Sequence, residues 1–194
     1  LAPAGGRVID ADLWSARTGK HVFEIMQPGS TLRGQSPKRV SIRKPDRPYL
    51  AWIHTQACCV TGVFGGPGVN IEANHVGPKP GLAIKCSDLL TIPMEQEIHR
   101  QWTDHTGRFK SWSRTTRREW ADARIIEHLD RFASWVPWRV GELRSELATY
   151  AGGLTNDEAE IAADLGKQIE EFEICLERVG DIRAEVIARI REAA

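Results

Sequence analysis

The alternation of apolar and polar positions divides the chain into an irregular front, a turn-rich middle and a helical back. Over the first 48 residues Gly, Pro and Arg recur. Two strand-like pieces, Val22-Phe23-Glu24-Ile25 and Val40-Ser41-Ile42, are separated by Pro28-Gly29 and Ser36-Pro37, which predicts an irregular arm or hairpin. Residues 49–57 have helical spacing, with Leu50, Ile53 and Ala57 on one side. Between 58 and 112 Gly, Pro, His and Cys crowd together, so turns dominate and regular elements are brief. The alternation Val69-Asn70-Ile71-Glu72-Ala73 predicts a strand ending at Asn74-His75. Pro93, whose fixed φ suits a helix start, predicts a helix after it.

From about Arg117 the period becomes helical. Trp120, Ala123, Ile125, Ile126, Leu129, Phe132 and Ala133 form one apolar face, which Pro137 interrupts. Val140, Leu143 and Leu147 continue it until Gly152-Gly153 ends the segment. Thr155-Asn156-Asp157-Glu158 then reads as a capping box opening a second helix. Its apolar positions run Ile161, Leu165, Ile169, Phe172, Leu176, Val179, Val186 and Ile190, with a break expected near Gly180-Asp181. Such a stripe must be covered, either by a helical hairpin with 117–150, the favoured reading, or by a helix of another subunit. No internal repeat is apparent.

Composition adds a boundary to this picture. The 194 residues are 41% hydrophobic and 27% charged, with 26 basic and 26 acidic side chains. That is ordinary globular usage, enough for one domain or a small domain with an appendage. The charges are not evenly spread: residues 1–140 hold 20 basic and 13 acidic side chains, residues 141–194 hold 6 and 13. A basic front gathers near phosphate backbones, and an acidic tail is repelled by them, so the two ends face different partners. No apolar run approaches the roughly 20 residues that cross a bilayer, and the opening residues lack the basic and apolar regions of a signal peptide. The expectation is a cytoplasmic protein without a membrane partner. Four cysteines, at 58, 59, 86 and 175, make no disulfide framework; burial or metal binding accounts for them better, and Cys175 reads as packing.

Candidate chemistry concentrates in residues 58–107. There Cys58-Cys59-Val60-Thr61-Gly62, Ile71-Glu72-Ala73-Asn74-His75, Lys85-Cys86-Ser87-Asp88, Ile92-Pro93-Met94, His99 and His105 stand in order. Cutting a phosphodiester needs a base that takes a proton from water and a divalent cation that neutralises charge growing on the phosphate. A base at a strand end and a metal ligand on the following helix meet that need compactly, and His75 and His99 occupy those two places. Trp102 and Glu95 share the helical face of His99.

This order of motifs resembles the HNH (His-Me finger, ββα-metal) endonucleases, and is most similar to the phage and prophage group of Ref-like recombination-associated nucleases. Tyr49-Leu50-Ala51-Trp52-Ile53 leading to Cys58-Cys59-Val60-Thr61-Gly62 looks like the family's helix and cysteine turn. Asn74-His75 looks like its histidine pair, Lys85-Cys86-Ser87-Asp88 like its Lys-x-x-Asp element, and Ile92-Pro93-Met94 with His99 and His105 like its helix. The likeness covers roughly residues 49–110. It implies an α+β fold: a small ββα-metal core at 49–112, a basic arm at 1–48 and a C-terminal α-helical hairpin or bundle at 113–194. It implies hydrolysis of DNA to a 5′-phosphate and a 3′-hydroxyl, with His75 as general base and His99 ligating Mg²⁺ or Mn²⁺. Asn74 is then a second metal ligand, and Asp88 either binds the metal or fixes the base. Lys79, Lys85, Arg108, Lys110 and Trp112, with Lys38, Arg39, Arg43 and Lys44 of the arm, would meet the nucleic acid.

Three departures qualify what the likeness implies. Thr61 stands where relatives carry the second Cys of Cys-x-x-Cys, so a structural Zn²⁺ would have to draw on Cys58, Cys59 and Cys86 with a histidine. Asn74 replaces a histidine or aspartate, and a neutral amide holds a cation less firmly. Pro78 and Pro80 stiffen a loop that is glycine-rich in relatives. Two rivals stand beside the nuclease: a non-catalytic nucleic-acid-binding or assembly subunit with a degenerate finger, and a zinc-stabilised adaptor whose acidic C-terminal helices recruit a protein partner or a second copy.

Overall fold

Asp46-Arg47-Pro48 opens the first helix, α1 (Arg47–His54), with proline in the first turn, where a missing N–H costs no intrahelical bond. The structure is a computed structural model and describes residues 46–78, 86–152 and 155–193. All of them belong to the compact unit Ser41–Ala194. The two strand-like pieces of the arm, with Lys38, Arg39, Arg43 and Lys44, lie outside the described residues, as do Lys79 and Lys85. Helix α1 ends three residues earlier than its apolar spacing suggests. Thr55 folds its N–H back to the Trp52 carbonyl (3.0 Å), and the chain enters a turn closed by the Gly62 N–H on the Cys58 carbonyl (2.8 Å). Gly62 there has φ +73°, a value glycine adopts without strain.

Strands β1 (Ile71–His75) and β2 (Thr91–Glu95) form an antiparallel pair, in register from Ile71 opposite Glu95 to His75 opposite Thr91. A 3₁₀ turn, Asp88–Leu90, leads into β2, with the Ser87 hydroxyl accepting the Leu89 N–H. The expected helix start after Pro93 is therefore corrected: Ile92-Pro93-Met94 is strand, and helix α2 (Gln96–Asp104) begins three residues later. The physical reason lies in the ladder. The Pro93 carbonyl turns away from β1 to accept the Cys59 N–H (2.9 Å), so Pro93 and Ala73 form a non-hydrogen-bonded pair, where a missing N–H removes no ladder bond. Ile92 and Met94 meanwhile gain full burial. Helix α2 ends at His105, which takes the left-handed conformation (φ 56°) and so caps the helix rather than lying on it.

Two long helices complete the fold. Helix α3 (Arg114–Ala148) starts at Ser113, whose hydroxyl accepts the Thr116 N–H (3.0 Å), and runs through Pro137 without a break. The expected interruption fails because Val136 and Val140, on either side of the exposed proline, are held in the core and keep the helix in register across the lost bond. Helix α4 (Asn156–Ala193) opens with the expected capping box: Glu158 accepts from the Thr155 N–H (2.8 Å), and the Thr155 hydroxyl accepts the Glu158 N–H (3.4 Å). It continues through Gly180-Asp181, against the expected break. Leu165, Ile169, Cys175, Val179, Ile182 and Val186 are buried, and most of the stripe is covered within the chain by a hairpin with α3. Its outer members Ile161 and Ile190 stay exposed.

The result is an α+β fold, mostly helical, whose one described sheet has two strands. Its core runs from the sheet into the helical hairpin. Tyr49 and Trp52 of α1 meet Phe132 of α3 at ring distances of 5.1 and 5.4 Å, and the Tyr49 hydroxyl donates to the Thr91 carbonyl (3.1 Å). Trp102 of α2 packs on Phe109 and Trp120 at 5.1 and 5.2 Å. Among the described residues no helix is long and apolar enough to cross a membrane.

Candidate active site

The β1–β2 hairpin and α2 carry two histidine–carboxylate pairs. At the end of β1, His75 Nε2 lies 2.9 Å from Asp88 Oδ1 at the head of the 3₁₀ turn. On α2, His99 Nδ1 lies 2.6 Å from Glu72 Oε2 on β1. All four side chains are partly open to solvent, 22 to 30% exposed, so both pairs are reachable. Beside His99 an open hollow of about 480 Å³ is lined by Glu72, Gln96, Glu97, Arg100, Thr103 and Asp104.

Strand alternation assigns the pairs to different sides of the hairpin. Glu72 and Asn74 share the face that α2 covers, and His75 points to the other face, where Asp88 meets it. His75 and His99 thus stand on one small scaffold, each with its own carboxylate. Asp88 has the placement of a group that orients the His75 imidazole. Its second oxygen, Oδ2, accepts the backbone N–H of Asp46 (3.3 Å), so both oxygens are engaged.

Asn74, expected as a metal ligand, is 2% exposed, and its amide donates to Met94 Sδ (2.9 Å). The place beside His99 belongs to Glu72, a residue that sequence reasoning puts in the strand and gives no role. The signal is present in the sequence: a strand sends 72 and 74 to the same face, so whatever meets Asn74 from the helix can also meet Glu72. A carboxylate oxygen suits Mg²⁺ or Mn²⁺, and a carboxylate on one imidazole nitrogen fixes the tautomer that leaves the other free for a metal. Standing on Nδ1, Glu72 orients the His99 ring with Nε2 outward and is a partner of that imidazole rather than a ligand of the same ion.

The cysteines considered for zinc are all in or against the core. Cys58 and Cys86 are buried and Cys59 is half-buried, none in a disulfide. Burial alone would raise the Cys58 thiol, but hydrogen bonds from the Glu95 N–H, the Thr61 hydroxyl and the Thr61 and Val60 backbone outweigh it and lower the group. Burial and the neighbouring Cys58 push Cys59 up to about 12. Thr61, in addition, donates to Glu95 Oε2 (3.4 Å). Among the described residues no group of three or more His, Cys, Asp or Glu side chains stands close enough to hold a metal.

Of the candidate nucleic-acid contacts, Arg108 and Lys110 are exposed and lie beside a half-buried Trp112. The Trp112 ring meets Phe109 edge-on at 5.2 Å and Trp120 at 5.7 Å, so one part of it is committed to packing. Arg114, Arg117 and Arg118 extend this cationic stretch, in which no acidic residue falls between 105 and 118. Comparison with protein-family models, with curated proteins and with solved structures finds no match.

Proposed function

We propose that this chain is a metal-dependent endonuclease that hydrolyses DNA phosphodiester bonds on a finger of the HNH type. The observation that carries the reading is the His75–Asp88 pair at the open end of β1. Because Asp88 meets Nε2, it favours the tautomer with the proton there and leaves the Nδ1 lone pair as the base that takes a proton from water. Ionised Asp88 also stabilises the imidazolium that results, as a carboxylate does for a catalytic histidine. His99, held by Glu72, would bind Mg²⁺ or Mn²⁺, and the reading requires that ion and the water on His75 to reach one phosphate around the end of the hairpin. Such an ion supplies positive charge against the phosphate and the leaving oxygen. The exposed cations Arg108, Lys110, Arg114 and Arg118 give the DNA backbone a surface to lie on.

The reading is tested by incubating the wild type and His75→Ala with plasmid and single-stranded DNA, with Mg²⁺ or Mn²⁺ and with chelator. Cleavage lost on both the substitution and chelation supports it, and the ends should carry 5′-phosphate. Cleavage that persists in His75→Ala sinks it. A second reading, a nucleic-acid-binding or assembly subunit with a degenerate finger, is favoured by two observations: Asn74 is turned into the core on Met94 rather than toward a cation, and strand alternation sends His75 and the His99–Glu72 pair to opposite faces of the hairpin. DNA retention on a filter without any cleavage, lost when Arg108 and Lys110 are neutralised, would select it.

A further inference from the structure

We infer that Arg178, far along α4, is a positioning residue for the His75–Asp88 pair and acts through Asp46; this rests on the reading of that pair as the base of a nuclease. A continuous line of contacts joins the two. Arg178 donates from Nη1 to Asp46 Oδ1, an ion pair spanning 132 positions of sequence in which Asp46 is only 2% exposed at its side chain. Asp46 in turn donates its backbone N–H to Asp88 Oδ2, and Asp88 Oδ1 faces His75 Nε2. Asp46 precedes α1 and its carbonyl accepts the Leu50 N–H (3.0 Å), yet its side chain makes no capping bond of its own. The carboxylate is turned away from the helix start and given to α4 instead.

Electrostatics explains why a cation is required there. The Asp46 carboxyl is nearly sealed from water, and the Asp88 carboxyl is joined to the same residue's N–H. Without Arg178 the buried Asp46 carboxyl would be left without the cation it pairs with, and the residue that presents its backbone N–H to Asp88 Oδ2 would lose its anchor on α4. Asp88 would then keep only its bond to His75. A carboxylate held at one oxygen swings about its terminal torsion, and the imidazole it orients gains the other tautomer. Arg178 is well placed to prevent this, since Cys175 and Val179 on the same side of α4 are buried and fix the turn that carries it. The acidic tail is on this account a structural part of the site.

The test reads which imidazole nitrogen of His75 carries the proton, by two-bond ¹⁵N–¹H correlation on the full-length metal-free protein at mildly alkaline pH, with the ring assigned by its loss in His75→Gln. The wild type should show one tautomer, protonated on Nε2, and Arg178→Met a mixture or an exchange-broadened ring. Arg178→Lys should restore most of the wild-type signal. Arg144→Met, which removes an exposed α3–α4 ion pair with Glu173, should leave the ring unchanged. With DNA as substrate, kcat of Arg178→Met should fall ~10- to 100-fold with KM little altered. If the folded Arg178→Met keeps the wild-type tautomer and kcat, the inference fails by itself. If the tautomer depends on Arg178 but the wild type cuts no DNA with either metal, positioning stands and the nuclease reading fails. A wild-type ring protonated on Nδ1 overturns both. Should Arg178→Met not fold, Arg178→Gln keeps a donor and loses the charge: a scrambled ring supports the inference, and an unchanged ring in that folded variant overturns it.

Discussion

Replacing Arg189 by Met should destabilise the protein far more than replacing Arg144, although both arginines join α4 to α3. Arg189 holds Asp122 with two bonds, Nε to Oδ2 at 3.1 Å and Nη2 to Oδ1 at 2.5 Å, and Asp122 is 4% exposed. Once Arg189 is gone, the nearest cation to Asp122 is Arg118, whose Nε is 4.0 Å away on a half-exposed side chain. A buried carboxylate left so poorly compensated costs about 3–5 kcal/mol. Arg144 and Glu173 are both more than half exposed, and an exposed pair of that kind contributes about 0–1 kcal/mol. With a urea slope of ~2 kcal/mol/M the first change moves the unfolding midpoint by roughly 1.5–2.5 M and the second by less than about 0.5 M. Combining Arg189→Met with Asp122→Leu should recover most of the loss, because removing both charges leaves no unpaired ion in the interior. Urea unfolding followed by circular dichroism gives all four values. Equal losses for Arg189→Met and Arg144→Met, or a double variant as unstable as the single one, would refute the argument from burial.

Glu72→Gln weakens the hold on His99 without changing its volume, so Mn²⁺ affinity measured by calorimetry should fall ~10- to 100-fold, as for other partners that orient a metal-bound histidine. His128 is 1% exposed, and burial holds its imidazole below the usual range against the smaller opposing effect of its bond to the Arg124 carbonyl. Between that lowered value and about 6.5 the unfolded chain binds a proton the folded chain does not, so stability falls as pH drops through this window. Thermal melts of His128→Gln should show a shallower loss there than the wild type, and parallel curves would contradict this. Asn74→Asp puts a second carboxylate on the face that holds Glu72 and His99, at 2% exposure. The variant should melt lower than the wild type without metal and be stabilised more by Mn²⁺, its own gain being ~2.7 kcal/mol at a hundredfold excess over its Kd; no metal-dependent gain would show that the face cannot take an ion.

The parts of this architecture visible in the sequence are those governed by near neighbours. The Thr155 capping box, the helical periods of α3 and α4, and the strand ending at His75 all arise from contacts within a few residues, and they are present where the pattern places them. Pro93 and Pro137 mislead for a common reason. Proline's local meaning is a missing N–H and a fixed φ, but its effect depends on whether that N–H had a partner to lose. At Pro93 the ladder has an outward-facing position to offer, and at Pro137 burial of Val136 and Val140 outweighs one bond. Asn74 shows a different limit: its type suggests a ligand, and nothing nearby in the sequence announces that Met94, twenty residues on, accepts from its amide.

What joins the site to the rest of the molecule is beyond any local pattern, and the reason can be seen at Asp46. Its neighbours Arg47-Pro48 advertise a helix start, and an aspartate before such a start reads as a cap. The side chain that would have capped α1 is drawn off by Arg178, a residue from a helix whose overall acidity suggests a separate role. Net charge describes what a segment meets at long range, whereas Arg178, Arg183 and Arg189 act at hydrogen-bond distance on Asp46, Asp130 and Asp122. Within a tail of 6 basic and 13 acidic residues, three of the cations therefore pair with carboxylates of the basic portion, and two of them, Arg178 and Arg189, do so on buried aspartates. The charge division between front and back describes their solvent faces, and the opposite pairing holds where they touch. A surface mutation that makes α4 less acidic should consequently leave His75 undisturbed, while the loss of Arg178 should not.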